Sequence, residues 1–387
     1  MTAALRTDGV LRAAAGDPRR REAFLPAPAV QSHAANLMPL PGGDLGCVWF
    51  SGTMEGVADI SIWFSRLSGD AWSEPVRLSD DATRSEQNPV LFPAPDGELW
   101  LLHTAQHASD QDTAEVRART SHDDGRTWSP VRTLAAATEA GGVFVRQPVV
   151  VLRSGRWLLP VFHCARPETG KWIGEHDTSA LLVSDDRGAT WHHQDVPRST
   201  GCVHMNVVEL ADGSLLALFR SRWADAIYES RSSDDGRSWS DPVPTELPNN
   251  NSSIQFLRLH DGRLALVFND SSAADATERR SSLYDEIDGG DQPDAGQHRA
   301  FWGAPRAPLT LALSSDGGRT WPVRRDLEVG DGYCMTNNSR DGLNRELSYP
   351  SIAQTGDGGL HVAFTYHRRA IKHVRVEPDW ATWGVPR

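Results

Sequence analysis

The chain has 387 residues, with 39% apolar and 23% charged side chains, a balance that excludes a disordered polymer and fits a globular fold. Its formal charge of −12 argues against nucleic acid or an anionic membrane as the main partner, since both require clustered Lys and Arg. Fourteen Trp against 5 Tyr and 5 Met is the odd feature, and 33 Gly with 24 Pro promise many turns.

At the N-terminus, residues 1–25 read as a short helix or an arm. The cluster Arg19, Arg20, Arg21 has no apolar stretch after it, so neither a Sec nor a twin-Arg leader fits and a cytoplasmic protein is expected. No run of 18 apolar residues occurs, so a spanning helix is not expected. Cys47, Cys164, Cys202 and Cys334 are far apart and form no CxxC, which predicts reduced structural thiols, no metal and no cofactor.

From residue 26 onward the chain repeats itself. Ser121–Trp128, Ser184–Trp191, Ser232–Trp239 and Ser314–Trp321 share the pattern S-x-D-x-G-x-[TS]-W, and Ser65–Trp72 is a degenerate copy that keeps Ser and Trp and loses the Asp. In each box the Asp can accept from turn N–H groups, the Gly can take a positive φ, and the Trp supplies a large packing face. A second series of turns falls between apolar runs at Gly43-Asp44, Asp96-Gly97, Ser154-Gly155, Asp212-Gly213, Asp261-Gly262 and Asp357-Gly358. Two turns and four short strands per unit, six units long, predict an all-β, six-bladed β-propeller of four-stranded antiparallel blades in one domain, 26–387. Stretches near 270–305 and 328–347 exceed the repeat and are expected as loops on the face that carries the site.

On these boxes the chain resembles the sialidase (neuraminidase) superfamily over about residues 30–378. That resemblance implies a carboxylate clamp of three arginines, a Tyr nucleophile assisted by a Glu, and an Asp acid/base. Arg306, eight residues before Ser314, and Arg220, after Val207-Val208-Glu209-Leu210-Ala211-Asp212-Gly213 and beside Arg222, match two clamp positions. Tyr349, in Ser348-Tyr349-Pro350-Ser351, matches the nucleophile. Three positions depart: His33 stands where the first clamp Arg belongs, His204 where the assisting Glu belongs, and Met54 with neighbouring Glu55 where the Asp belongs.

The candidate catalytic residues are therefore Tyr349, Glu55, His204 and Glu346, with Glu346 or His204 taking the Tyr349 proton. The candidate substrate residues are Arg220, Arg306, Arg146 (a replacement for the missing arginine), His33, Asn251 and Asn338, the two amides suiting sugar hydroxyls. Trp172, Trp223 and Trp302, outside the boxes, are where a sugar platform would lie. The expected activity is an exo-acting glycoside hydrolase on an acidic sugar terminus, with a carbohydrate as partner. Two alternatives stay open: a uronate lyase using His and Tyr, and a non-catalytic carbohydrate-binding propeller.

Overall fold

The computed structural model describes residues 5–168, 172–277 and 299–383. Six separate antiparallel sheets follow one another along the chain, each with its first strand innermost, and together they form a six-bladed propeller. The inner strands are Gln31–Pro39, Arg84–Pro93, Gly141–Val145, Cys202–Glu209, Gln255–Arg258 and Leu347–Gln354. Among the described residues no helix is long and apolar enough to cross a membrane.

The described part of the N-terminal segment is not a helix or an arm. Arg12–Ala14 and Asp17–Phe24 are strands, and the second pairs with Ala370–Val376 of the last blade. The reason is edge pairing: the last blade supplies only three strands from its own end of the chain, and the fourth comes from the start. The Arg side chains of that strand then find partners on the neighbouring blades, Arg20 on Glu328 at 3.0 Å and Arg21 on Asp70 at 2.6 Å.

Each intact Asp box folds as the pattern predicts. In the second, the Ser184 hydroxyl donates to Asp186 and accepts from the Gly188 N–H, both at 2.8 Å, while Asp186 accepts from the Thr190 N–H and hydroxyl. The Thr190 hydroxyl and backbone N–H together hold Asp186 down to about 2. Glycines 125, 188, 236 and 318 of the four boxes all have φ between 75° and 83°.

A ring of side-chain-to-backbone bonds closes the inner strands around the axis. The Leu91, Val145, Phe256, Ile352 and Leu37 N–H groups donate to Asn36, Thr104, Asn206, Gln255 and Ser351 respectively, at 2.7–3.1 Å. The Ser179 hydroxyl donates to the Cys202 carbonyl at 2.8 Å and joins blades three and four. Each bond satisfies a buried backbone group that an inner strand would otherwise leave open.

Candidate functional site

The mouth of the ring is shaped by a local distortion repeated from blade to blade. Ala34, Asn88, His204, Asn251 and Tyr349 have φ between 48° and 60°. In four of these blades the inner strand slips register at that point, between His33 and Asn36, Gln87 and Val90, Val203 and Asn206, and Ser348 and Ser351. A bulge re-aims side chains at a strand end, and a left-handed non-glycine residue costs on the order of 1–3 kcal/mol unless the surroundings impose it. Here the bulges turn His204 and Tyr349 into one depression, lined also by Glu55, Arg220, Arg222, Arg306, Arg368, Trp172 and Trp302.

At its floor, Arg220 Nη1 donates to the Tyr349 hydroxyl at 2.7 Å. Arg220 Nε donates to Asn251 Oδ1 at 2.8 Å, and Nη1 faces His204 Nε2 at 3.4 Å. None of the three is a carboxylate; no carboxylate pairs with Arg220 among the described residues, and its Nη2 has no hydrogen-bond partner. Burial pushes this guanidinium down to about 9, against the pull of Tyr349. It is a desolvated cation with one donor unused, and such a group favours an anionic ligand.

Next to it runs an alternating chain of charge. Arg306 Nη1 donates to Glu346 Oε2 at 2.6 Å, Arg368 Nε to Glu346 Oε1, and Arg368 Nη1 to Glu55 Oε2. Burial opposes ionisation of Glu346, yet Arg368 and Arg306 hold it well below the usual carboxylate range. Burial likewise disfavours the charged form of Arg368, and Glu346 and Glu55 more than offset it. Across the mouth, Arg222 pairs with the fully buried Asp177 at 2.6 Å and lies 5.3 and 5.2 Å from the Trp172 and Trp302 ring centres.

The sequence-predicted residues divide accordingly. Tyr349, His204, Arg220, Arg306 and Glu55 meet in the mouth. Glu346 does not act as a free base there: both of its oxygens are taken, Oε2 also by the Ser348 hydroxyl at 2.5 Å, so it anchors two arginines. Arg146 does not reach the mouth. It lies on the axis beneath Tyr349 and donates to the carbonyls of Ala34, Ala35, Tyr349 and Pro350, where inner strands converge and their carbonyls need donors. His33 is fully buried behind Tyr349, with ring centres 4.3 Å apart and Nδ1 on the Thr365 hydroxyl at 2.8 Å. Burial, reinforced by Arg368, keeps it neutral. Asn251 spends its amide on Arg220 and on the Phe301 carbonyl, so it positions the arginine. Asn338 caps the short 3-10 turn Ser339–Asp341 and bonds Asp341, while its backbone bridges to Met54 and fastens the loop that carries Glu55.

Arg368, Asp177 and the full role of Arg222 escape the sequence reading. Arg368 sits in the Tyr366–Arg369 turn of the last blade, far in sequence from every arginine motif; the one available signal was a basic pair in a turn on the mouth side. Of the tryptophans outside the boxes, Trp172 and Trp302 line the mouth. The expected insertion at 270–305 falls partly outside the described residues. Among the described residues no three His, Cys, Asp or Glu side chains converge as metal ligands would.

Six blades, four of them with an intact Asp box, around an arginine-lined mouth with a Tyr at its floor define a sialidase-like β-propeller. The chain belongs to the BNR repeat-like domain family, whose pattern its residues 43–362 match. Over 176 residues it is 26% identical to the anhydrosialidase of Macrobdella decora, a stretch covering 42% of this chain and 22% of that protein. The chain thus spans about a fifth of that relative's length. In three dimensions it is similar to the Hadza microbial sialidase Hz136 (TM-score 0.67, 15% identity, 90% of this chain and 66% of that one). A protein of unknown function from Dyadobacter fermentans is equally similar, with TM-score 0.68, 16% identity, 93% of this chain and 99% of that one. At these identities the structural likeness establishes the fold alone.

Proposed function

We propose that the protein is a glycoside hydrolase that cleaves a terminal sugar bearing one carboxylate, with Tyr349 as nucleophile. The observation that carries this reading is Arg220: a buried guanidinium with no carboxylate partner among the described residues, an Nη2 without a hydrogen-bond partner, and its Nη1 on the Tyr349 hydroxyl. A substrate carboxylate on Arg220 and Arg306 supplies the missing negative charge and sets the sugar over Tyr349. Tyr349 Oη attacks the anomeric carbon while the protonated form of Glu55, the partly exposed carboxyl at the rim, gives its proton to the departing glycosidic oxygen. The Tyr349 proton passes to His204 Nε2, which accepts because the arginine nitrogen facing it can only donate. Glu55, now a carboxylate, then takes a proton from the water that attacks the anomeric carbon, and His204 returns its proton to the Tyr349 oxygen as the Tyr349–sugar bond breaks.

A panel of aryl glycosides of acidic and neutral sugars tests the reading. Release from acidic glycosides, abolished in Tyr349→Phe while the product sugar still binds, is expected; cleavage that survives in Tyr349→Phe overturns it, and sugar binding without turnover makes the propeller a lectin.

One observation favours a second reading. His204 has an unpartnered buried Nδ1 beside Arg220 and Tyr349, a set that also suits β-elimination from a uronate. That reaction leaves an unsaturated product absorbing in the ultraviolet, which hydrolysis does not.

A further inference from the structure

The seam where the ring closes, between blade six and blade one, carries a polar chain unlike that of the other blades. In three intact Asp boxes the tryptophan N–H donates to the glycine carbonyl of its own box, at 3.1–3.2 Å for Trp128, Trp191 and Trp239. The degenerate box Ser65–Trp72 keeps a glycine, Gly69, at that position but has Leu67 where the other boxes have Asp. Its Trp72 Nε1 donates instead across the seam to His373 Nδ1 at 3.1 Å. His373 Nε2 then meets His361 Nδ1 at 3.0 Å with the two rings within 6° of parallel. His361 Nε2 meets the Thr355 hydroxyl at 3.2 Å, and that hydroxyl donates to Asp357 Oδ1 at 2.6 Å.

The direction of this chain is forced. An indole N–H can only donate, so His373 Nδ1 accepts and its proton is on Nε2. His361 Nδ1 must then accept, and its proton is also on Nε2. Every hydrogen is used once, and both imidazoles are neutral. A proton added to His361 sets two N–H groups against each other at 3.0 Å; one added to His373 sets an N–H against the Trp72 N–H at 3.1 Å. Around the chain lies the apolar cluster that joins the two blades, including Leu11, Ala23, Leu37, Trp49, Ala363 and Ile371. Such surroundings offer a displaced N–H little compensation.

We infer that Trp72–His373–His361–Thr355 is a proton-operated latch on the closing seam of the propeller, shut while both histidines are neutral and released when His361 takes a proton. Acid reaches it from one end only: His361 is 5% exposed and borders a cavity on the face opposite the mouth, whereas His373 is wholly enclosed. The charged groups bordering that cavity are Arg375 and Asp357 from the last blade, Arg21 from the N-terminal strand, and Asp44 and Asp70 from blade one. Burial first, then Arg375, pushes His361 down to about 4, with Asp357 opposing; burial and His361 push His373 well below its ordinary value. The folded seam therefore binds fewer protons than the open chain between about pH 6.5 and 4, and stability is lost as pH falls through that window. The latch is independent of the proposed activity.

Hydrogen–deuterium exchange of the full chain from pH 7.5 to 4.5, corrected for intrinsic rates, reads the seam directly. Residues 17–24 and 370–376 should lose protection at least tenfold relative to blades two to four. Nitrogen NMR at pH 7.5 should find His361 and His373 as Nε2–H tautomers. In His361→Gln the acid-selective loss at the seam should disappear. His33 bonds Thr365 across the same seam and His204 lies in blade four, and both are buried and neutral, so the difference between the unaltered chain and His361→Gln decides. Uniform loss of protection in all blades, Nδ1–H tautomers, or an unchanged acid-selective loss in a folded His361→Gln overturns the latch. If that variant does not fold, the exchange pattern and tautomers of the unaltered chain still decide it.

Discussion

Replacing Glu346 by Gln separates an anchor from a base. Glu346 is fully buried and accepts from Arg306 at 2.6 Å, from Ser348 at 2.5 Å and from Arg368. Gln keeps the shape, removes the charge and replaces one acceptor oxygen with an NH2 facing a guanidinium. Arg306 loses its carboxylate and Arg368 keeps only Glu55. Breaking a buried ion pair by removing one partner costs about 3–5 kcal/mol. With a urea m-value of about 3 kcal/mol/M or slightly more, the midpoint should fall by roughly 1 M. Because the folded carboxyl lies below its ordinary value, its stabilisation is present above about pH 4.5 and lost as pH falls through the folded value. The gap between the two proteins should thus stay constant from pH 5 to 8 and narrow only in stronger acid. Urea melts at several pH values measure it. A Glu346→Gln protein with unchanged stability but no turnover would refute the anchor reasoning and return Glu346 to the role of proton acceptor.

Other substitutions address the remaining parts. Asn251→Ala removes the acceptor that holds Arg220 Nε, so the KM for an acidic glycoside should rise on the order of tenfold, as the loss of about 1.5 kcal/mol implies; kcat should change much less in steady-state assays. Gly332→Ala adds a Cβ 2.5–2.6 Å from backbone atoms of Arg306 and Ala307 at a position with φ 75°, and should weaken both folding and binding of the acidic sugar, read by calorimetry. Ser184→Ala strips the Gly188 N–H of its acceptor in a buried turn and should cost about 1–3 kcal/mol in urea melts with kinetic constants unchanged. His204 is held below its ordinary value first by burial and then by Arg220 and Arg222, so kcat/KM should show no inflection near pH 6.5 from this residue; an inflection there that vanishes in His204→Gln would contradict its neutral state.

The repeat was legible because a turn is a local object. Ser184, Asp186, Gly188 and Thr190 satisfy one another within seven residues, so their spacing alone predicts both the turn and the blade that it ends. Tyr349, Arg220 and Arg306 could be matched by motif for a related reason: each sits at a fixed offset from a turn or a box. What spacing cannot reveal is which charges meet. Glu346 and Arg146 looked like mouth residues from the sequence, yet one is locked between two guanidiniums and the other fills the axis with carbonyl contacts. Arg368 reaches Glu55 across 313 positions, and Trp72 reaches His373 across 301. Those pairings exist only because a closed ring brings its two ends together, and the N-terminal strand that completes the last blade has no local pattern announcing it. Local hydrogen-bond satisfaction determined the blades; the closure of the ring determined which buried charges meet a carboxylate, as Arg306 and Arg368 do, and which, like Arg220 and Arg146 among the described residues, do not.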